Sequence, residues 1–155
     1  MTRGAADAGA AELAGSLAHR AGDGVVGIGV DAVDVDRFRR MLVRRPTLAR
    51  RLFTSGERAY AARVPDPVPR LATRFATKEA VLKALGLGLG AFGFHDVEVV
   101  RTGLDAPTVV LHDGAAEAAR AAGVARWHLS LTHTDLVALA AVLAEGAPSG
   151  ARTGR

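Results

Sequence analysis

The feature that most constrains this fold is an uninterrupted helix-forming run from Arg70 to Leu85. The run is rich in Ala, Leu, Arg, Lys and Glu, and neither Pro nor Gly interrupts it before Gly86. These residue types favour a helix, and glycine is common just past a helix end. The sequence therefore predicts a long central helix that ends near Gly86.

Two charged residues share one face of the predicted central helix. Glu79 and Lys83 are four positions apart, so their side chains lie one turn apart on the same face. A surface ion pair is the ordinary explanation of this spacing and contributes only about 0.3–0.5 kcal/mol. A functional explanation competes with it because a second acid, Asp31, ends an apolar run near the N-terminus, and a Ser-Leu-Thr-His run ends at His133.

Length and composition indicate one domain. A chain of 155 residues can bury a single core, and the absence of cysteine excludes disulfides and thiolate metal sites. We expect a weakly ordered extension over 1–24, a domain over 25–145 and a disordered tail over 146–155. The longest apolar run, Leu136–Ala144, is too short to span a bilayer as a helix. The expected location is the cytoplasm, without membrane contact.

Positive charge is concentrated in one block. Seven arginines and no acid lie between Arg37 and Arg51. Such a block predicts an acidic partner, which can be a phosphate-rich ligand, a nucleic acid or an acidic protein. The chain has one Trp and one Tyr, so it lacks the row of stacking aromatics that many nucleic-acid modules use. The sequence therefore disfavours nucleic acid.

The remaining patterns predict short strands and helices. A β-branched run with glycines indicates a strand that ends at Asp31, which could also cap the helix expected from Asp34. A capping box at Thr54 predicts a short helix through Ala62. The other expected elements are strands at Phe94–Arg101, Pro107–Leu111, Arg126–Leu131 and Leu136–Leu143, and a helix at Gly114–Gly123. The predicted fold class is α+β, with a mostly antiparallel sheet packed around the central helix.

Four segments together resemble the holo-acyl-carrier-protein synthase family, the small trimeric type of 4′-phosphopantetheinyl transferase. They occur in the family's order and at its approximate spacing, and the resemblance covers about 25–145. The segments are Gly27–Asp31 with Arg37, Phe53-Thr54 with Glu57 and Tyr60, Arg74–Ala80 with Lys83-Ala84, and Ser130–His133.

The resemblance implies transfer of the phosphopantetheine arm of coenzyme A to a serine of an acidic carrier protein, with release of adenosine 3′,5′-bisphosphate. It implies that Asp31 and Glu79 hold Mg²⁺, with Mn²⁺ as a substitute, on the pyrophosphate. Mg²⁺ prefers one or two carboxylates plus phosphate oxygens and waters. Lys83 would stabilise or protonate the leaving group, and the base would be Glu79 or a metal-held water.

Coenzyme A is expected to be held by residues from several segments. By the resemblance, Arg74, Lys78 and the loop of Thr132 and His133 contact its phosphates, with His133 supplied by a neighbouring subunit of a homotrimer. Gly86 begins a run with glycines at alternate positions, which allows backbone N–H groups to approach a ligand closely. An ordinary helix cap and loop remain the alternative there.

The arginine block is expected to dock the carrier protein through Arg37, Arg40 and Arg44. The sequence leaves open whether that carrier serves fatty-acid, polyketide or peptide synthesis. It departs from the family at Asp105–Pro107, where a cation near the adenine is absent. A non-catalytic trimer that only binds coenzyme A is the second alternative.

Overall fold

The structure is a computed structural model, and it describes residues 24–148. The expected N-terminal extension lies outside these residues, except for its last position, and so does most of the expected C-terminal tail. The helices of the described part are α1 Val35–Arg44, α2 Leu48–Leu52, α3 Ser55–Ala61, α4 Val68–Ala84 and α5 Asp113–Ala121. Its strands are β1 Val25–Asp34, β2 Val97–Val100, β3 Thr108–Leu111, β4 Val124–His133 and β5 Val137–Gly146.

The strands form two antiparallel sheets. One sheet has the order β1-β5-β4, and the other pairs β2 with β3. Helix α4 packs across one face of the three-stranded sheet, mainly on β1 and β5. The predicted α+β class, with antiparallel strands around a long helix, is confirmed, whereas trimerisation stays a prediction.

The central helix lies unusually close to β1 because two strand residues lack side chains. A Cβ added at Gly27 would overlap the carbonyl oxygen of Ala84, and one at Gly29 would overlap that of Ala80. Neighbouring positions of β5 on this face are also small and fully buried, at Ala138, Ala140 and Ala144. Small residues on both elements allow the two backbones to approach, which brings Asp31 beside the last turns of α4.

The central helix begins slightly earlier than predicted and ends as predicted. It starts at Val68, with Pro69 in its first turn, where proline's missing N–H costs nothing. Gly86 follows the helix with a φ of +67°, and Leu87 donates back to the carbonyl of Leu82. A left-handed residue followed by such a bond is the usual way that a helix is terminated at glycine.

Three local predictions were wrong. Asp34, not Asp31, caps α1, because its carboxylate accepts from the backbone N–H of Arg37 at 2.7 Å. Thr132 and His133 end strand β4 instead of forming a loop. The strand expected from Phe94 begins only at Val97, after a short 3₁₀ turn.

An aromatic row holds α1 against the central helix. Phe38 stacks on Phe75 with ring centroids 5.4 Å apart, and Phe75 stacks on Phe94 at 5.9 Å. Phe38 also meets Phe53 edge to face at 6.3 Å. This packing fixes the arginine-bearing helix relative to Glu79 and Lys83. Among the residues described, no helix has the length and apolar character needed to cross a membrane.

Candidate active site

Asp31 and Lys83 form an ion pair where β1 passes the end of α4. The Lys83 ammonium donates to Asp31 Oδ1 and to the Val30 carbonyl, at 3.0 Å each. The Asp31 side chain is 17% exposed and the Lys83 side chain 54% exposed. The predicted meeting of the upstream acid with the charged helix face is therefore present in the structure.

Glu79 lies one turn before Lys83 and contributes a second carboxylate to this site. Its Oε1 atom is buried, and no donor among residues 24–148 hydrogen-bonds to it. Burial raises the pKa of Glu79, the nearby Asp31 raises it further, and Lys83 opposes both. A buried carboxylate oxygen without a donor beside a second carboxylate is an arrangement that a cation would stabilise.

The two carboxylates fit a magnesium ion that is shared with a phosphate ligand. No group of three or more His, Asp or Glu side chains within residues 24–148 could enclose a metal ion by itself. Mg²⁺ commonly binds through one or two carboxylates and completes its shell with waters and substrate phosphates. Asp31 and Glu79 supply that number, so the residues present fit the group that the sequence predicted.

The expected contact between Lys78 and coenzyme A needs correction. Its side chain is 1% exposed, and its ammonium donates to Glu57 at 2.9 Å, to the Phe94 carbonyl at 2.8 Å and to the Val97 carbonyl. An ammonium has three hydrogens, and these three acceptors use all of them. Lys78 therefore joins the central helix to the segment before β2 and is not available to a phosphate.

Glu57, which sequence reasoning treated only as a helix cap, is the partner of this lysine. The capping box with Thr54 is present as predicted. The same carboxylate also accepts from the backbone N–H of Val99 at 3.0 Å and from Lys78. The capping pattern indicated where Glu57 lies, but no sequence signal marked it as buried.

Arg74 lies in a group of arginines around Tyr60. The guanidinium carbons of Arg74, Arg70 and Arg63 lie 4.3, 4.8 and 5.4 Å from the centre of the Tyr60 ring. Burial alone raises the pKa of Tyr60, but the Arg101 guanidinium and the other charges lower it overall. Arg74 is 3% exposed, and its Nε atom has no hydrogen-bond partner in the part of the chain that the structure describes. This concentration of positive charge suits a phosphate.

The remaining expected ligand contacts lie apart from the ion pair in this chain. Thr132 and His133 are exposed on β4, which β5 separates from β1. Neither side chain hydrogen-bonds to Asp31, Glu79 or Lys83 among the described residues. Strand alternation also turns Thr132 and His133 to opposite faces of the sheet.

Gly86 is close to the site along the chain. Its backbone N–H donates to the Lys83 carbonyl at 3.0 Å, so this N–H is used by the helix end. The following residues Leu87 and Leu89 are exposed large apolar side chains. The chain is therefore apolar and exposed in the residues that directly follow the helix end.

The predicted docking residues share one face of α1. Arg37, Arg40 and Arg44 line a shallow groove together with Met41 and Arg45. Arg39 is directed elsewhere, because Asp66 binds both of its terminal nitrogens at 2.9 and 2.8 Å. The groove is therefore cationic at its rim and contains an apolar side chain.

Comparisons with known proteins agree on one family. Residues 27–138 match the model of the 4′-phosphopantetheinyl transferase superfamily. A holo-[acyl-carrier-protein] synthase of Frankia casuarinae is 51% identical over 121 residues, which are 78% of this chain and 98% of the relative.

Two solved structures show the same fold. The holo-[acyl-carrier-protein] synthase of Neisseria meningitidis is 32% identical with a TM-score of 0.71, covering 78% of this chain and 98% of that one. The synthase of Bacillus anthracis, solved in complex with CoA (3′,5′-ADP), is 30% identical with a TM-score of 0.66, covering 80% of this chain and 99% of that one.

Proposed function

We propose, because the chain belongs to the 4′-phosphopantetheinyl transferase superfamily and within it to the holo-acyl-carrier-protein synthases, that Asp31, Glu79 and Lys83 carry out a Mg²⁺-dependent transfer. The phosphopantetheine arm of coenzyme A passes to a serine of an apo acyl carrier protein, and adenosine 3′,5′-bisphosphate leaves. We assign this reaction to a domain of residues 25–145. The observation that carries the proposal is the Asp31–Lys83 ion pair beside the unpartnered buried oxygen of Glu79.

Asp31 and Glu79 would hold the metal against the pyrophosphate. When bound there, Mg²⁺, or Mn²⁺ in its place, would supply positive charge that stabilises the transferring phosphoryl group. Among the described residues, no donor reaches the buried Oε1 of Glu79, and burial together with the nearby Asp31 raises the pKa of this carboxyl. In the same site Glu79 or a water beside it would take the proton of the carrier serine.

Lys83 would act on the leaving group. It is the exposed lysine of the central helix and it lies one turn past Glu79. Its ammonium can stabilise the negative charge that develops on the departing phosphate oxygen, or give that oxygen a proton. The 3.0 Å contact with Asp31 supports this assignment, because it shows that the side chain reaches the carboxylate that would hold the metal.

Other parts of coenzyme A would be held by cations and backbone near the site. Arg74 and its arginine neighbours around Tyr60 are suited to a phosphate group. Gly86 lets the chain turn away beside the ligand, next to the exposed Leu87. Since Thr132 and His133 lie two strands away from Asp31, their contact with coenzyme A requires a second subunit.

The open face of the three-stranded sheet supports assembly into a homotrimer. Helix α4 packs on the other face, so within residues 24–148 the alternate residues of β1 and β5 remain partly or fully exposed. They are mostly apolar, namely Ile28, Val30, Ala32, Leu139, Ala141 and Leu143. We expect a solution mass three times the chain mass of 16.0 kDa by light scattering. Ala141→Lys should reduce that mass, and a wild-type monomer would contradict this proposal.

The arginine face of α1 would receive the acidic carrier protein. Charges at such a surface mainly raise the association rate and make it sensitive to salt. Arg40→Glu should therefore raise the KM for the carrier several-fold and reduce its dependence on salt, while kcat changes little. Arg39→Gln is the matched control, because Asp66 already binds that guanidinium. Equal effects of the two substitutions would contradict the docking assignment.

The intact mass of an apo acyl carrier protein tests the reaction itself. After incubation with this protein, coenzyme A and Mg²⁺, we expect a gain of about 340 Da, the mass of the phosphopantetheine group. The gain should be absent with EDTA and with Glu79→Gln. No gain on carriers from fatty-acid, polyketide and peptide synthesis, with coenzyme A still bound, would favour the non-catalytic alternative.

A further inference from the structure

The ammonium of Lys83 is bound to Asp31 in the structure. It donates to Asp31 Oδ1 and to the carbonyl of Val30, at 3.0 Å each. Asp31 is the carboxylate that, under the proposed function, would also bind the metal. One carboxylate oxygen therefore faces two competing cations, one covalently attached to the protein and one free in solution.

The charges around the site make this competition strong. Asp31 and Glu79 contribute two carboxylates and Lys83 contributes one cation, and within residues 24–148 Asp31 and Lys83 are the charged groups that act on Glu79. A divalent ion that binds to Asp31 without coenzyme A would lie within a few ångströms of the Lys83 ammonium. Two unit charges about 4 Å apart repel by about 1 kcal/mol even in bulk water, and by more in a half-buried site.

The pyrophosphate of coenzyme A changes that balance. It brings negative charge next to the pair and offers Lys83 new oxygen acceptors. The Lys83 side chain is 54% exposed, so it can move without disturbing packing. Once Lys83 has moved to a phosphate, both carboxylates are free to face a metal ion.

We propose that Lys83 is a resident counter-ion that makes metal binding conditional on coenzyme A. It lowers the affinity of the Asp31–Glu79 pair for a divalent cation alone, and it exchanges from Asp31 to the pyrophosphate when both ligands load together. This role rests on the proposed function but concerns the order in which the metal and coenzyme A bind, before any chemistry occurs. Lys83 is thus a specificity-determining residue against unproductive binding of free metal.

Titration of Mn²⁺ into the protein without coenzyme A tests the exchange. Free Mn²⁺ is measured by electron paramagnetic resonance for the wild type, Lys83→Met and Lys83→Arg. Lys83→Met removes the charge at similar length and should bind Mn²⁺ at least about fivefold more tightly than wild type. Lys83→Arg keeps the charge and should bind it about as weakly as wild type. In the presence of coenzyme A, the advantage of Lys83→Met over wild type in Mn²⁺ affinity should shrink or reverse.

The outcomes separate this inference from the proposed function. Equal or weaker Mn²⁺ binding by Lys83→Met would overturn the counter-ion role, even if the mass assay shows transfer. The double variant Asp31→Asn with Lys83→Met is the control for the site itself. Adding Asp31→Asn should abolish the tight Mn²⁺ binding that Lys83→Met creates. If it does not, the Mn²⁺ lies elsewhere, and the metal assignment fails together with this inference.

The chain offers a second readout because it contains only two lysines, Lys78 and Lys83. Labelling with ¹⁵N-lysine should therefore give two side-chain ammonium signals, and Lys83→Arg assigns them. Mg²⁺ with coenzyme A should shift the Lys83 signal and leave the buried Lys78 signal in place. Mg²⁺ alone, at the same concentration, should shift neither. A full shift of Lys83 with Mg²⁺ alone would contradict the exchange.

Discussion

The two lysines of the chain lie five positions apart on one helix and are held in opposite ways. Lys78 is buried, and its three hydrogens are accepted by one carboxylate and two carbonyls of its own subunit. Lys83 is half-exposed, and its ammonium donates to the Val30 carbonyl and to Asp31 Oδ1. The difference indicates that Lys78 is fixed by a complete set of internal partners, whereas Lys83, further along α4, stays accessible to solvent.

Replacing each lysine in turn is the strongest test of this comparison. Lys78→Met should cost about 3–5 kcal/mol of unfolding free energy, because it leaves the Glu57 carboxylate buried without a cation. Lys83→Met should cost less than about 1 kcal/mol, because its ion pair is partly exposed. Urea denaturation measures both.

A double variant sharpens that prediction. Adding Glu57→Gln to Lys78→Met removes the uncompensated charge, and the amide oxygen can still accept one of the two bonds that the backbone N–H groups of Thr54 and Val99 donate to separate oxygens of Glu57. It should recover part of the lost stability. Equal stabilities of the two single lysine variants would mean that the two parts of the helix are not held differently.

A second test concerns the close approach of β1 and α4. Gly29→Ala places a methyl group against the Ala80 carbonyl, so it should push β1 from α4 and cost about 1–3 kcal/mol. Because Asp31 follows two residues later, Mn²⁺ binding should weaken as well. Gly88→Ala has open space around its Cβ and should change stability by less than about 0.5 kcal/mol. Loss of stability without any change in Mn²⁺ affinity would show that the approach does not position the site.

The smallest effect concerns Glu98, near the buried lysine. A hydrogen bond from Thr54 lowers the pKa of Glu98, burial opposes this, and His112 lowers it further. A carboxyl with a lowered pKa in the folded state stabilises the fold above its unfolded pKa and loses that contribution as pH falls through the folded pKa. The stability advantage of wild type over Glu98→Gln should therefore be below about 1 kcal/mol at pH 7 and disappear on acidification. A stability advantage of wild type over Glu98→Gln that grows at low pH would contradict this prediction.

The parts of the site that could be predicted from sequence are those carried by local spacing. Glu79 and Lys83 share a helix face because they are four residues apart, and Asp31 ends a strand of recognisable composition. The resemblance to a known family then brought these two segments together, and the structure places Asp31 and Lys83 in contact. Their roles in binding and catalysis stay predictions.

The errors lie where partners are distant in sequence. Lys78 carries the same charge as Lys83 on the same helix, and nothing in its neighbourhood along the chain marks it as buried. The strand end at His133 and the cap at Asp34 depend on how far β4 and β1 continue to pair with β5. That pairing is cooperative between strands, so composition within one segment does not reveal it.

By itself the sequence determined the central helix, its end at Gly86 and the charged face of Glu79 and Lys83, because helix propensity, capping and side-chain spacing are local properties. Only the tertiary structure decided which lysine is internal. Glu57 and the carbonyls of Phe94 and Val97 come from other elements and surround Lys78, whereas Gly27 and Gly29 bring Asp31 within reach of Lys83. A burial that depends on several separate segments becomes visible only after they have packed.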